Sequence, residues 1–219
     1  MERIPEPEVM DTEAEAQEYD AMDFLEVNSA FAQDAIAIAP EIATVLDSGT
    51  GTARIPILIA QQRPHWQITA IDLADSMLAL AERNVRQAGL SEQIKLEKAD
   101  SKKLPYADNS FDFVMSNSIV HHLPDPLPYF REIKRVLRPQ GGIFLRDLMR
   151  PDSEAEVNRL VSEIGPEYSP HQAQLFRDSL FAAFTVPEVQ DMLSQAGLNN
   201  IEVYASSDRH WTATRKVKG

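Results

Sequence analysis

Residues Val45–Ala53 read V-L-D-S-G-T-G-T-A, a short apolar run that ends on an acid and a glycine-rich turn. Such a run commits the chain to a strand that turns at once into a helix. Gly49 and Gly51 carry no Cβ to forbid positive φ or to keep a ligand away from the backbone. The turn is therefore expected to offer bare amides to something small. About twenty residues further on, Ile68–Asp72 (I-T-A-I-D) is a second apolar run ending in a carboxylate, the spacing of a strand–helix–strand unit. Asp72 is then placed to accept two ribose hydroxyls.

Two cofactor classes use such a turn, and the glycine pattern separates them. A dinucleotide fingerprint needs a small third residue so that the helix packs closely and its N-terminus faces a pyrophosphate. Here the third position is Arg54, and Asp47 puts a carboxylate where phosphates would be repelled. The same carboxylate suits a cation. The run D-S-G-T-G-T resembles the first motif of class I S-adenosylmethionine-dependent methyltransferases, whose cofactor brings an ammonium and a sulfonium but no phosphate. The likeness continues in order through K-A-D-S-K-K-L (Lys98–Leu104), F-D-F-V-M-S-N (Phe111–Asn117), S-N-S-I-V-H-H-L-P-D (Ser116–Asp125) and V-L-R-P-Q-G-G (Val136–Gly142). These segments are similar to the small-molecule branch of that family, the methyltransferase type 11 or UbiE-like proteins, which methylate metabolites and quinone precursors.

The resemblance implies an α/β fold of three layers, a Rossmann-like, mostly parallel sheet of seven strands in the order 3-2-1-4-5-7-6 with strand 7 antiparallel. It also implies S-adenosyl-L-methionine as cofactor, held by Asp47, Ser48, Gly49, Gly51, Asp72, Leu73, Met77, Asp100, Ser101 and Asn117. In this scheme Asp100 would bond the adenine amino group and the Ser101 amide a ring nitrogen. Apolar periodicity agrees with the layout: strands near 44–48, 67–72, 93–98, 111–117 and 141–147 alternate with helices near 52–62, 76–88 and 126–137. A helical lid is expected over about 13–40 and a helical cap inserted after the fifth strand over about 150–184. Two alternating runs, Ile201–Ala205 and His210–Lys216, would close the sheet as an antiparallel hairpin.

Composition narrows the partners. The chain has 219 residues, which suits one domain over 13–219, and a net charge of −13 without the basic face that a nucleic-acid substrate requires. Residues 1–20 hold eight acids against one base, Arg3. With Pro5 and Pro7 among them, residues 1–12 are expected to be a flexible acidic tail. No cysteine is present, which removes disulfides and thiolate chemistry. Short apolar runs and the lack of a basic-flanked leader point away from membrane insertion and secretion; a cytoplasmic monomer or homodimer is expected.

On the acceptor side, transfer from an already activated sulfonium can rest largely on alignment and desolvation, with a base needed only for an acidic-proton nucleophile. His121 and His122, just after the fourth strand, are the candidate bases, with packing under the cofactor and loop fixing as their plainer roles. Tyr19, Asp147, Arg150, His171, Arg209 and His210 are the candidate contacts to a small and anionic acceptor, since a guanidinium matches carboxylate or phosphate bidentately. An Arg paired with a neighbouring acid is as often a structural bridge. Five histidines without H-E-x-x-H or comparable spacing argue against a metal site. Two rivals to methyl transfer are a cofactor-binding sensor or assembly module without turnover and, disfavoured by Arg54, a dinucleotide-dependent oxidoreductase.

Overall fold

In the computed structural model, residues 1–6, 12–22, 24–165 and 168–217 are described. Seven strands form one sheet: β1 (Ala43–Ser48), β2 (Trp66–Asp72), β3 (Ile94–Lys98), β4 (Phe111–Asn117), β5 (Leu137–Leu148), β6 (Glu202–Ala205) and β7 (His210–Arg215). Their order is β3-β2-β1-β4-β5-β7-β6. β1 pairs in parallel with β2 and β4, while β7 runs antiparallel to both β5 and β6. Order and direction agree with the sequence-based expectation. β5 begins earlier than expected because Leu137 pairs with Phe111 before a register shift brings Gly142 opposite Phe113.

The period-2 alternation of the strands divides the core between two faces. Val45, Phe113, Met115 and Phe144 point to the side covered by α2 (Leu25–Ile38), α3 (Arg54–Ala60) and α4 (Asp75–Gln87), where Phe31, Ile59 and Val85 are buried. Leu46, Val114, Ile143 and Leu145 point the other way, against α5 (Leu127–Val136) and α8 (Val186–Gln195). Because both faces are covered, the parallel strands read as near-continuous apolar runs. Gly89 and Gly197 end helices with φ of 72° and 71°. Among the described residues no helix is long and apolar enough to cross a membrane.

Two expectations about the periphery need correction. α1 (Glu13–Ala21), the turn after it and the first turn of α2 border the cleft as a lid, whereas Phe31, Ala32 and Ala35 further along α2 are buried in the core. α1 is latched to the body by Asp20, which accepts from Arg54 Nε at 3.0 Å, Arg83 Nη2 at 3.0 Å and Asn84 Nδ2 at 3.1 Å. The expected free tail is tied down over residues 1–6, and the remainder up to Asp11 lies outside the described residues. Arg3 donates to the carbonyls of Ala182 (2.6 Å), Leu123 (2.8 Å) and His121 (3.0 Å) and lies over the Phe184 ring. With Pro124 O at 3.2 Å, this one cation satisfies four carbonyls, which outweighs the acidic composition around it. The expected cap consists of α6 (Glu154–Glu163) and α7 (Pro170–Ala182), joined to Leu148 by Val157, Leu160 and Leu180.

Candidate active site

All the parallel strands end at one edge, and the cleft opens there. It comprises a cavity of about 520 Å³ and a second of about 570 Å³ that share Tyr19, Met22, Phe24, Asn28, Gly49 and Asn117 in their walls. The first lies between the glycine turn and the lid. The second continues past Asp72, Leu73, Met77, Asp100 and Ser101 to His121, His122, Arg209, His210 and the cap.

The glycine turn is built as its sequence requires, with φ of 75° at Gly49 and 55° at Gly51. A Cβ on Gly49 would stand 2.8 Å from Ile119 Cδ1. Its amides, however, are not bare. Gly49 N and Thr50 N donate to Ile71 O at 2.9 and 2.8 Å, and Gly51 N donates to Asp72 Oδ2 at 2.8 Å. A phosphate would have to compete with β2 for these donors, which supports the separation from dinucleotide sites. Asp72 also accepts from Ala74 N at 3.0 Å, so its carboxylate braces the turn while lining the cleft.

Asp47 is 3% exposed, and its Oδ2 has no hydrogen-bond partner among the described residues. Burial pushes its carboxyl up to about 7, with Asp72 adding to the rise and Thr50 opposing it. A buried carboxyl with an unused oxygen on a cavity wall wants a cationic, hydrogen-bonding ligand. Burial first, and then Asp72, also raise the Tyr19 phenol, whose ring lies 3.6 Å from where a Gly51 Cβ would be. Asp100 Oδ1 accepts from Lys102 N at 2.8 Å and shapes the turn after β3. Ser48 departs from expectation. It is fully buried behind the wall, its carbonyl accepting from Ser116 Oγ at 2.7 Å.

At the far end a short helical turn, Val120–His122, carries two stacked imidazoles with centroids 4.1 Å apart. His121 Nδ1 is 2.5 Å from Asp147 Oδ1, and Asp147 also accepts from Val120 N at 2.5 Å and Leu148 N at 2.6 Å. Burial disfavours the charged ring, yet Asp147 outweighs it and holds His121 above its ordinary value; the same contact holds Asp147 low against its own burial. Asp147 is thus a buried positioning residue for His121 and not an acceptor contact. Two other expected contacts also lie off the cleft wall. Arg150 donates to Ala183 O at 3.0 Å and to Glu188 Oε1 at 2.6 Å as a structural bridge, and His171 is exposed in the first turn of α7. Arg209 and His210 do line the cleft; burial lowers His210 to about 4, so it stands neutral.

Sequence reasoning missed Glu6. Its Oε1 lies 2.9 Å from His122 Nδ1 and 3.4 Å from His121 Nε2, and its Oε2 accepts from Ser179 Oγ at 3.1 Å. The signal available was Arg3, the lone base in an acidic stretch, which anchors this segment. Arg146, near the end of β5, lines the cleft and is paired with Asp34 at 2.8 Å.

Residues 46–145 match the family model described as a methyltransferase domain. A demethylmenaquinone methyltransferase from Lactobacillus johnsonii is 31% identical over 167 residues, covering 71% of this chain and 68% of that one. The chain belongs to the S-adenosylmethionine-dependent methyltransferases. A biotin biosynthesis bifunctional protein from Teredinibacter turnerae is 32% identical over 159 residues, only 28% of its own length. Among solved structures, a SAM-dependent methyltransferase from Aquifex aeolicus superposes with a TM-score of 0.70 at 20% identity, over 95% of this chain and 100% of that one. The methyltransferase cofactor, S-adenosylmethionine, suits the wall described above. Its ammonium matches the unpartnered Asp47 oxygen, and its uncharged adenosine needs none of the amides tied to β2.

Proposed function

We propose that this methyltransferase acts on a small acceptor with an apolar body and an anionic or ionisable head, seated between the cofactor side of the cleft and the cap. One observation carries the reading. The acceptor end of the cleft is walled by Ile119, Leu123, Leu148, Ile164 and Phe176, with His121, His122 and Arg209 among its polar residues. Bound cofactor supplies a methyl group already activated on a sulfonium. The chain's own part is then to align the acceptor, exclude water and manage the acceptor's reactive heteroatom. His121 and His122 are the groups proposed to face that heteroatom, and Arg209 and Tyr19 to orient the rest of the acceptor. Adenosine and ribose are assigned to Asp100, Ser101 and Asp72, with Leu73, Met77 and Asn117 packing around them.

The net charge of −13 argues against a phosphate-rich macromolecular acceptor. The two relatives described above differ in activity, and it is the composition of the wall that supports the acceptor class. Incubating the protein with methyl-labelled cofactor and a fractionated metabolite extract tests the proposal. Label is expected in small molecules that partition as amphipathic anions or phenols, and Arg209→Leu should raise the acceptor's Michaelis constant with cofactor affinity unchanged. Label confined to protein or nucleic acid, or cofactor binding without any transfer, would overturn it.

A further inference from the structure

On the acceptor wall, one nitrogen of each imidazole also approaches the Glu6 carboxylate. One ring nitrogen of each histidine and a Glu6 carboxylate oxygen all lie within 4.8 Å of one another, and His121 Nε2 and His122 Nδ1 are the nitrogens beside Glu6 Oε1. Their separations from Glu6 Oε1, 3.4 Å and 2.9 Å, bracket what a shared ion would impose. Bonds of about 2.0–2.1 Å place donors about 3.4 Å apart at a tetrahedral angle and about 2.9 Å apart at a right angle.

A second feature points the same way. Asp147 grips Nδ1 of His121 from behind, so a neutral His121 carries its proton on Nδ1 and presents the Nε2 lone pair toward Glu6. A carboxylate behind a ligating imidazole fixes its tautomer and raises its basicity, the arrangement found around protein-bound zinc. His122 Nδ1 is buried 2.9 Å from Glu6 Oε1, and Glu6 is its one close polar neighbour among the described contacts. Glu6 and Asp147 bring two negative charges to the cluster and Arg3, on the His121 carbonyl, one positive charge.

We infer that Glu6, His121 and His122 form a binding site for a divalent transition metal ion of the zinc type, with Asp147 as the positioning residue behind His121. Two imidazoles and one carboxylate form a borderline donor set, which selects zinc, cobalt or nickel over magnesium or calcium. Three protein donors leave one tetrahedral position for an exchangeable ligand, and both imidazoles line the acceptor cavity. The sequence spacing hid this set because its third member comes from the N-terminal segment that Arg3 docks. What such an ion would do for the acceptor rests on the methyl-transfer reading; that it binds does not.

The test uses tag-free, full-length protein stripped by a chelator and desalted, titrated with Zn²⁺ by calorimetry and with Co²⁺ by visible absorption. Wild type is expected to take up one ion per chain, with Co²⁺ giving the intense bands of a four-coordinate site. Glu6→Gln and His122→Asn, each checked for native circular dichroism, should weaken binding at least tenfold. No stoichiometric uptake by wild type, or wild-type uptake by both folded variants, would overturn the inference, the first by leaving protons as the cluster's only occupants and the second by placing the ion elsewhere. Because the readout is ion binding, methyl transfer can stand where this site fails, and the reverse.

Discussion

Replacing Asp47 by Asn should make the cofactor-free protein more stable and, in the same step, spoil its cofactor site. In the folded chain burial raises the Asp47 carboxyl from an ordinary 3.8 to about 7. At about 1.4 kcal/mol for each tenfold change in proton affinity, ionised Asp47 therefore costs the fold up to about 4 kcal/mol. The sign follows from the proton balance. A carboxyl raised on folding holds its proton more tightly in the native state, so its contribution to stability is intact below about pH 4 and is lost as pH rises to about 7. Asparagine cannot ionise and escapes the loss. The gain over wild type should grow by about 2 kcal/mol between about pH 5.5 and pH 8.5, and a change of that size moves the melting temperature of a chain this long by roughly 4–8 °C. Cofactor binding reverses the order. An ammonium on Asp47 recovers the buried charge in wild type, whereas the variant loses an ion pair worth about 2–5 kcal/mol. Thermal melts at two pH values, with and without S-adenosylhomocysteine, read both effects. Wild type should melt lower alone and rise with ligand, and the variant should melt higher alone and barely respond. A variant that is no more stable at high pH, or that still binds ligand as wild type does, would refute the buried-charge argument.

Asp72→Ala removes the acceptor of the Gly51 and Ala74 amides as well as a group lining the cleft; calorimetry should show cofactor affinity weaker by about 1.5–3 kcal/mol together with a lowered melting temperature. Gly49→Ala combines a left-handed φ of 75° with a Cβ 2.8 Å from Ile119 Cδ1. It should destabilise by about 2–4 kcal/mol in urea titration, with little relief from trimming Ile119 to Ala because the dihedral strain stays. Arg150→Leu removes the partner of Glu188 and should lower stability by about 1–3 kcal/mol, a modest value because Glu188 is left 42% exposed to solvent. An unchanged fold with a raised acceptor Michaelis constant would instead return Arg150 to the acceptor site.

Local pattern determined the framework and the cofactor side. The alternation of strands and helices, the last hairpin and the cleft-lining positions of Asp47, Gly49, Gly51, Asp72 and Asp100 were legible because each depends on residues close in the chain, where period and spacing carry the physics, while the strand order followed from the family resemblance. Tertiary structure decided what depends on residues far apart in the chain. No periodicity reveals that Asp147 turns inward to hold His121, that Arg150 closes on Glu188, or that the glycine-turn amides are already bonded to Ile71 and Asp72. The N-terminal segment is the clearest case. Its acidity and prolines favour a solvated chain on average composition, but Arg3 meets four carbonyls and a ring that only the finished fold brings together, and Glu6 comes to rest on both histidines as a result. A hydrogen-bonded cation can order a segment that its own composition would leave in water, and that balance is set by the surface it meets.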